Sequence, residues 1–380
     1  MAATRVALAG LAALAVAMGI GRFAFTPLLP MMLEDAGLSV AQGGWLASAN
    51  YLGYLAGALW AGAARARGAT AIRAGLTVIG FATLGMALDA GLAAWAGLRA
   101  AAGVASAWVL IHTSAWAFER LAPAGKPMLA GILFSGVGVG IIAAGSLCVL
   151  LMAQRATSSA AWLVLGIASL AVAVVVWPAF HASDEKSRTL QESSSWTWEQ
   201  ARLVIAYGAY GLGYIIPATF LPVMAKEVVG DPAVFGWAWP VFGAAAALST
   251  LAVTLFSGRY GNRAAWIAGH LMMALGVAAP VFWPGIGGIV LAALCVGGTF
   301  VVITMVGLQE ARTVAGAQAP KLMAAMTAAF AAGQIIGPIA VSFLLDAGGG
   351  FSAALLAACG ILVAGAVLLL SPARRSARAG

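Results

Sequence analysis

The chain has 380 residues, 63% hydrophobic and only 8% charged, with a mean hydropathy of +0.99; soluble domains are about a quarter charged, so a water-facing fold is excluded. The net charge of +8 would suit a nucleic acid, but the basic residues fall in short connections between apolar runs, where membrane topology accounts for them. The expected partners are a lipid bilayer and a small-molecule substrate, with no nucleic acid and no cofactor.

Apolar windows of about 20 residues cross a hydrocarbon core roughly 30 Å thick, and they recur along the whole chain. In order they cover 6–32, 41–64, 72–92, 93–118, 128–152, 159–180, 201–223, 236–257, 264–283, 286–308, 322–345 and 352–371. Arg5, the apolar stretch after it and Ala15-Val16-Ala17 mimic a signal peptide and its cleavage site. Cleavage there would leave a first span too short to cross, so a retained helix is expected. That span holds MGIGRFAFTPLLP, with Arg22 between two glycines and two prolines (Pro27 and Pro30). A second intramembrane arginine, Arg99, lies early in span four. Span two carries Asn50 and span eleven Gln334, both polar and in mid-span.

At 100° per residue, Arg99, Gly103, Ser106 and Thr113 share one stripe of span four. His112 lies about 220° from Arg99 and shares its face with Glu119, which predicts packing against another helix; proton coupling is its other possible role. GVGVG at 136–140 is inside a span and lacks the strand-turn-helix setting of a dinucleotide loop, so close helix packing is expected. The polar run 181–199 reads as a linker without chemistry of its own. Span seven then places Tyr207, Tyr210 and Tyr214 on one face, as aromatic core or as a cavity wall. Trp45, Trp95, Trp162, Trp177, Trp237 and Trp283 near span ends are expected to form an interfacial belt. Cys148, Cys295 and Cys359 lie in separate spans and are read as small core residues without disulfide or metal roles.

With the N-terminus in the cytoplasm, sixteen Lys and Arg fall on that side and two, Arg155 and Lys226, on the other. That bias predicts that both termini are cytoplasmic. GIGRFAFTPLLP at 19–30 aligns with GLGYIIPATFLP at 211–222, an offset of 192, and Gly44-Trp45 matches Gly236-Trp237 at the same offset. Glu119 answers Glu310 at 191, and GVGVGIIA at 136–143 answers GQIIGPIA at 333–340 at 197. Four matches in order predict an all-α membrane protein of twelve transmembrane helices in two pseudosymmetric six-helix bundles, 1–180 and 200–380.

These features resemble the major facilitator superfamily, and the resemblance covers the whole chain. The loop AGAARARGATAIR keeps Gly68 and the basic character of the superfamily's loop between spans two and three, with Arg65 where an Asp is usual. SGRYGNR in the second half keeps Arg259, Gly261 and Arg263. Arg99 with Gly103 fits the span-four pattern; Gly136, Gly140, Gly333, Gly337 and Pro338 fit the span-five and span-eleven patterns. GIGRFAFTPLLP is similar to the YbfB/YjiJ-like branch. The resemblance implies a monomeric secondary transporter in a bacterial inner membrane, its halves rocking about a cavity lined by spans one and four.

An arginine at a helix centre costs about 2.5–3.5 kcal/mol on insertion scales, so it is expected to face a cavity or a partner. Arg22 is 17 residues beyond Arg5, roughly 25 Å along a helix, and Arg99 enters from the opposite end, so both fall in the outer half of the bilayer. A guanidinium suits carboxylate or phosphate, and no acidic residue occupies a span centre. Arg22, Arg99, Asn50, Tyr210, Tyr214 (the repeat mate of Arg22) and Gln334 are therefore the candidate substrate-binding residues. For Arg99 a purely structural role, bonding helix carbonyls, is equally open. Glu119 is paired in expectation with Arg65, Arg67 or Arg73, and Glu310 with Arg259 or Arg263, as inner-gate latches. No nucleophile-base pair or nucleotide motif is visible, so an enzyme is not expected. Transport of an organic anion is the first reading; efflux of amphipathic compounds with structural arginines is the second.

Overall fold

The computed structural model describes residues 2–63, 68–180, 196–228, 232–346 and 350–370 (side chains of 40, 219–238 and 341–351 excepted). Regular structure among the described residues is entirely helical. The first rod is α1 (Ala3–Leu14), a π-helical segment (Ala15–Phe23) and α2 (Phe25–Asp35). There follow α3 (Val40–Ala63), α4 (Gly68–Gly85), α5 (Gly91–Leu121), α6 (Pro127–Ala153) and α7 (Ser158–Val176). The second set is α8 (Trp198–Val228), α9 (Pro232–Tyr260), α10 (Asn262–Phe282), α11 (Ile286–Ala315), α12 (Ala319–Asp346) and α13 (Gly350–Leu369). Each rod overlies one expected span. Nine stretches among the described residues are long and apolar enough to cross a membrane.

Local chemistry sets the ends. Ser39 and Gln42 exchange hydrogen bonds between side chain and backbone at the start of α3, and Thr197 and Gln200 do the same at the start of α8. Both are capping boxes, which satisfy amides left over at a helix start. The second begins α8 at Trp198, so the expected linker loses its last two residues to the helix; 181–195 lie outside the described residues. Asp35 closes α2 onto α7, accepting from the Ser158 hydroxyl at 2.7 Å and from the Ser158 amide. Gly261, in SGRYGNR, has φ +86°, a turn conformation that a side chain would strain.

The α1–π rod packs along α6, where a Cβ on Gly19 would overlap the backbone of Gly140 and one on Gly136 the Leu11 carbonyl. In the second half, α8 meets α12 the same way at Gly211 and Gly333. The repeated glycines are thus close-approach sites between equivalent helices. The N-terminal segment belongs to this core, with Val6 and Leu14 buried. Contacts of α6 with α9 and of α3 with α12 join the two sets. Outward apolar side chains such as Val175 (78% exposed) and Phe282 (77%) form the face that meets lipid tails.

The tryptophan belt is only partly realised. Trp45, Trp177 and Trp283 are exposed, but Trp162 is 1% exposed and Trp95 is buried; the side chain of Trp237 lies outside the described residues. Trp162 stacks on Phe25 at 6.5 Å and Trp95 Nε1 donates to the Leu88 carbonyl at 2.8 Å, so both serve as core. The three cysteines are free thiols, Cys148 buried and the others half-buried.

Candidate functional site

The π-helical segment is where the first rod departs from regular geometry. Pro27 has no amide to offer the carbonyls four and five residues back, Phe23 and Arg22, and so leaves local carbonyl capacity free. Of the two, the Arg22 carbonyl is met by a side chain from another helix, and so is the Gly21 carbonyl beside it. Arg99 on α5 donates from Nη1 to the Gly21 carbonyl and from Nη2 to the Arg22 carbonyl, each at 3.3 Å. Asn50 on α3 donates from Nδ2 to the Gly21 carbonyl at 3.3 Å and to the Arg99 carbonyl at 2.9 Å. Ser106 adds a 2.7 Å bond from its hydroxyl to the Ala17 carbonyl. Arg99 is 3% exposed, with Cζ 4.7 Å from the centroid of Phe25. Its two terminal nitrogens are therefore spent on the backbone, the geometry of its structural alternative.

Arg22 is held differently. It is 4% exposed, and its Nη2 donates to Oε1 of Gln334 on α12, from the other set of helices. Its Nε and Nη1 are buried and donate no hydrogen bond. Aromatic rings surround the guanidinium: the Tyr54 centroid lies 3.9 Å from Cζ, with Phe330, Phe23 and Tyr51 at 5.5, 5.6 and 5.7 Å. Each is a cation–π arrangement. Such contacts stabilise the cation, but they leave two donor nitrogens unpartnered in a buried site, which costs about 1–3 kcal/mol per group.

The α8 tyrosines extend this aromatic wall. Tyr214 stacks on Phe300 at 5.4 Å and on Phe330 at 6.2 Å, and Tyr210 meets Phe330 at 4.8 Å. Tyr210 donates its hydroxyl to the Phe300 carbonyl at 2.6 Å. The fold thus brings Arg22, Gln334, Tyr210 and Tyr214 into one cluster across the two sets of helices, with Asn50 and Arg99 behind it. Tyr51, Tyr54, Phe23 and Phe330 were not anticipated. A signal existed for two of them: Tyr54 is one turn from Asn50, and Phe330 one turn from Gln334.

His112 is buried and meets Trp108 edge-on at 6.1 Å, away from the Arg22 cluster. A second buried histidine, His270, sets Nδ1 3.2 Å from the Trp266 carbonyl and Nε2 3.3 Å from the Ala206 carbonyl. Its ring is 6.3 Å from that of Tyr210.

At the end of the molecule holding the α8, α10 and α13 termini, Arg263 reaches Glu310 from Nη2 at 2.9 Å and from Nε at 3.1 Å. Nη2 also donates to Glu199, which in turn pairs with Arg202 at 2.9 Å. Glu199, read as linker, joins this network because the capping box makes it part of α8. Arg259 does not take part; its Cζ sits 5.4 Å from the Tyr260 ring. The latch proposed for the first half is not formed by Arg73. That guanidinium donates to the Trp177 carbonyl at 2.9 and 3.2 Å and lies 4.9 Å from the Trp177 ring, while Glu119 is exposed. Arg65 and Arg67 lie outside the described residues. Because Arg263 has two acidic partners, Glu310→Arg should destabilise the protein by about 1–3 kcal/mol. Adding Arg263→Glu should recover only part of the loss, since the new carboxylate faces Glu199. Thermal unfolding of the single and double variants checks this, and full recovery would exclude a three-body network.

The family described as uncharacterised MFS-type transporter YbfB matches residues 14–370. Among solved structures, the chain is similar to the crystal structure of the human organic anion transporter MFSD10 (TETRAN), with a TM-score of 0.74 and 16% identity. That likeness covers 97% of this chain and 100% of the other, and at this identity it is a likeness of fold. No curated relative matches the sequence.

Proposed function

Since the chain belongs to the MFS-type transporter family of YbfB, we propose that it carries a small organic anion across the bilayer, with Arg22 as the anion-binding group. Transport of a small solute through a multi-pass membrane protein follows from the family itself. The anionic substrate rests on one observation: a charged guanidinium, buried between two sets of helices, keeps two donor nitrogens unused. An oxyanion is the group that satisfies such donors and offsets the buried charge. The anion name carried by the MFSD10 structure agrees with this but belongs to that protein.

Alternating access would proceed by rocking of the bundles 1–180 and 200–380 about the Arg22 cluster, with both termini in the cytoplasm of a bacterial cell. Arg263, Glu310 and Glu199 would latch one closed state, and Glu119 would act against Arg65 or Arg67. The aromatic lining favours a second reading, efflux of amphipathic compounds, in which Arg22 only knits the halves together. Uptake and counterflow in proteoliposomes, screened over small carboxylates and matched amines at two pH values, separate the two. Saturable counterflow of carboxylates is expected. Counterflow confined to cationic or neutral amphiphiles would select the second reading.

A further inference from the structure

We propose that the ligand of the Arg22 cluster is a monocarboxylate on a flat, aromatic body, and that it competes with Gln334 for Arg22. This rests on the reading of Arg22 as the anion site and adds the ligand class and a resident competitor.

A guanidinium offers a carboxylate two bidentate edges, one made of Nε and Nη2 and the other of Nη1 and Nη2. Nη2 belongs to both. It is the one nitrogen of Arg22 that is hydrogen-bonded, and its partner is the Gln334 amide oxygen. Nη2 carries two N–H groups, one on each edge, so that bond closes one fork and leaves the other beside the Gln334 amide. A carboxylate that takes the occupied fork displaces Gln334 from Nη2 and gains Nε or Nη1 as well. The exchange replaces one neutral acceptor by a charged bidentate one, which is stronger. Gln334 therefore acts as a placeholder that keeps the buried cation partly satisfied when no anion is present.

Two observations define the ligand. Arg99 turns both terminal nitrogens onto the Gly21 and Arg22 carbonyls, so Arg22 is the guanidinium of the cluster that keeps two nitrogens, and with them a fork, for a carboxylate. The groups around Arg22 are rings: Tyr54, Phe330, Phe23 and Tyr51 lie within 5.7 Å of Cζ, and Tyr214 and Phe300 stack behind them. Such walls accept a flat apolar body by stacking and offer few partners to a polyol.

Titration of purified wild type with benzoate and phenylacetate, against acetate, succinate and inorganic phosphate, tests the ligand class. The aromatic monocarboxylates are expected to bind at least tenfold tighter. Gln334→Ala removes the competitor and should tighten benzoate binding by about tenfold, the worth of one hydrogen bond to a charged group. Gln334→Glu installs a tethered carboxylate, which should occupy Arg22 and weaken benzoate binding by more than a hundredfold while leaving the melting temperature unchanged or raised. Wild-type affinity in both variants would overturn the displacement, and preference for succinate or phosphate would overturn the ligand class. In either case loss of binding in Arg22→Ala would leave Arg22 standing as the anion site. Undiminished benzoate binding in Arg22→Ala would overturn that underlying reading and this proposal with it.

Discussion

Arg22→Ala is expected to cut saturable carboxylate uptake by at least a hundredfold while leaving the folded protein about as stable as wild type. The two effects separate because the wild-type site is costly to the fold. A cation that is 4% exposed, with two donor nitrogens unpartnered, opposes folding through desolvation, and neutral hydrogen bonding and four ring contacts offset it. Alanine relieves that cost but removes the group that recognises the anion. Two charge-assisted hydrogen bonds at about 1.5–3 kcal/mol each correspond to a hundredfold or more in affinity. Arg22→Lys keeps the charge as a point without a fork and should retain at most a tenth of the activity. Transport by both variants at the wild-type rate would remove Arg22 from the site.

Arg99 should behave in the opposite manner. Arg99→Ala leaves the Gly21 and Arg22 carbonyls short of donors inside the bundle and opens a cavity beside Phe25. Each orphaned carbonyl costs about 1–3 kcal/mol, and Asn50 still reaches Gly21, so a total loss of about 2–5 kcal/mol is expected. Arg99→Met preserves most of the volume and should show the hydrogen-bond loss alone. The fraction that remains folded should keep its substrate KM within a few-fold, because Arg99 acts on the backbone behind the site. Denaturation in detergent, paired with uptake kinetics, distinguishes this from a ligand role, in which KM would rise while stability stayed level.

What could be seen in the sequence follows the range of the forces involved. Apolar windows and the duplicated glycines are patterns within the sequence itself, so the order of the spans and the repeat were visible before any coordinates. Arg22 stood out because a charge in an apolar run is costly wherever it lands. The pairing of Arg22 with Gln334 joins residues 312 apart, and one sequence holds no record of such a contact. Arg73 was one of three arginines, with Arg65 and Arg67, offered to Glu119 by the expected topology, but the Trp177 carbonyl, 104 residues away, holds it. Trp95 and Trp162 were placed in the belt by their nearness to span ends, yet neighbouring helices cover them. Glu199 was read as linker because its helix begins with a capping box of four residues, a signal shorter than the hydropathy window that set the boundary.

The account stands most directly on whether Arg22 binds an anion. The melting temperature of purified wild type and of Arg22→Ala, with and without a panel of carboxylates and matched amines, measures this without requiring transport. A ligand that binds only the folded state raises the midpoint by mass action, by about 2.7 kcal/mol of stability at a hundred times its Kd. Carboxylates are expected to stabilise wild type and not Arg22→Ala, and amines neither. Equal stabilisation of the two proteins by carboxylates, or stabilisation of wild type by amines alone, would contradict the account.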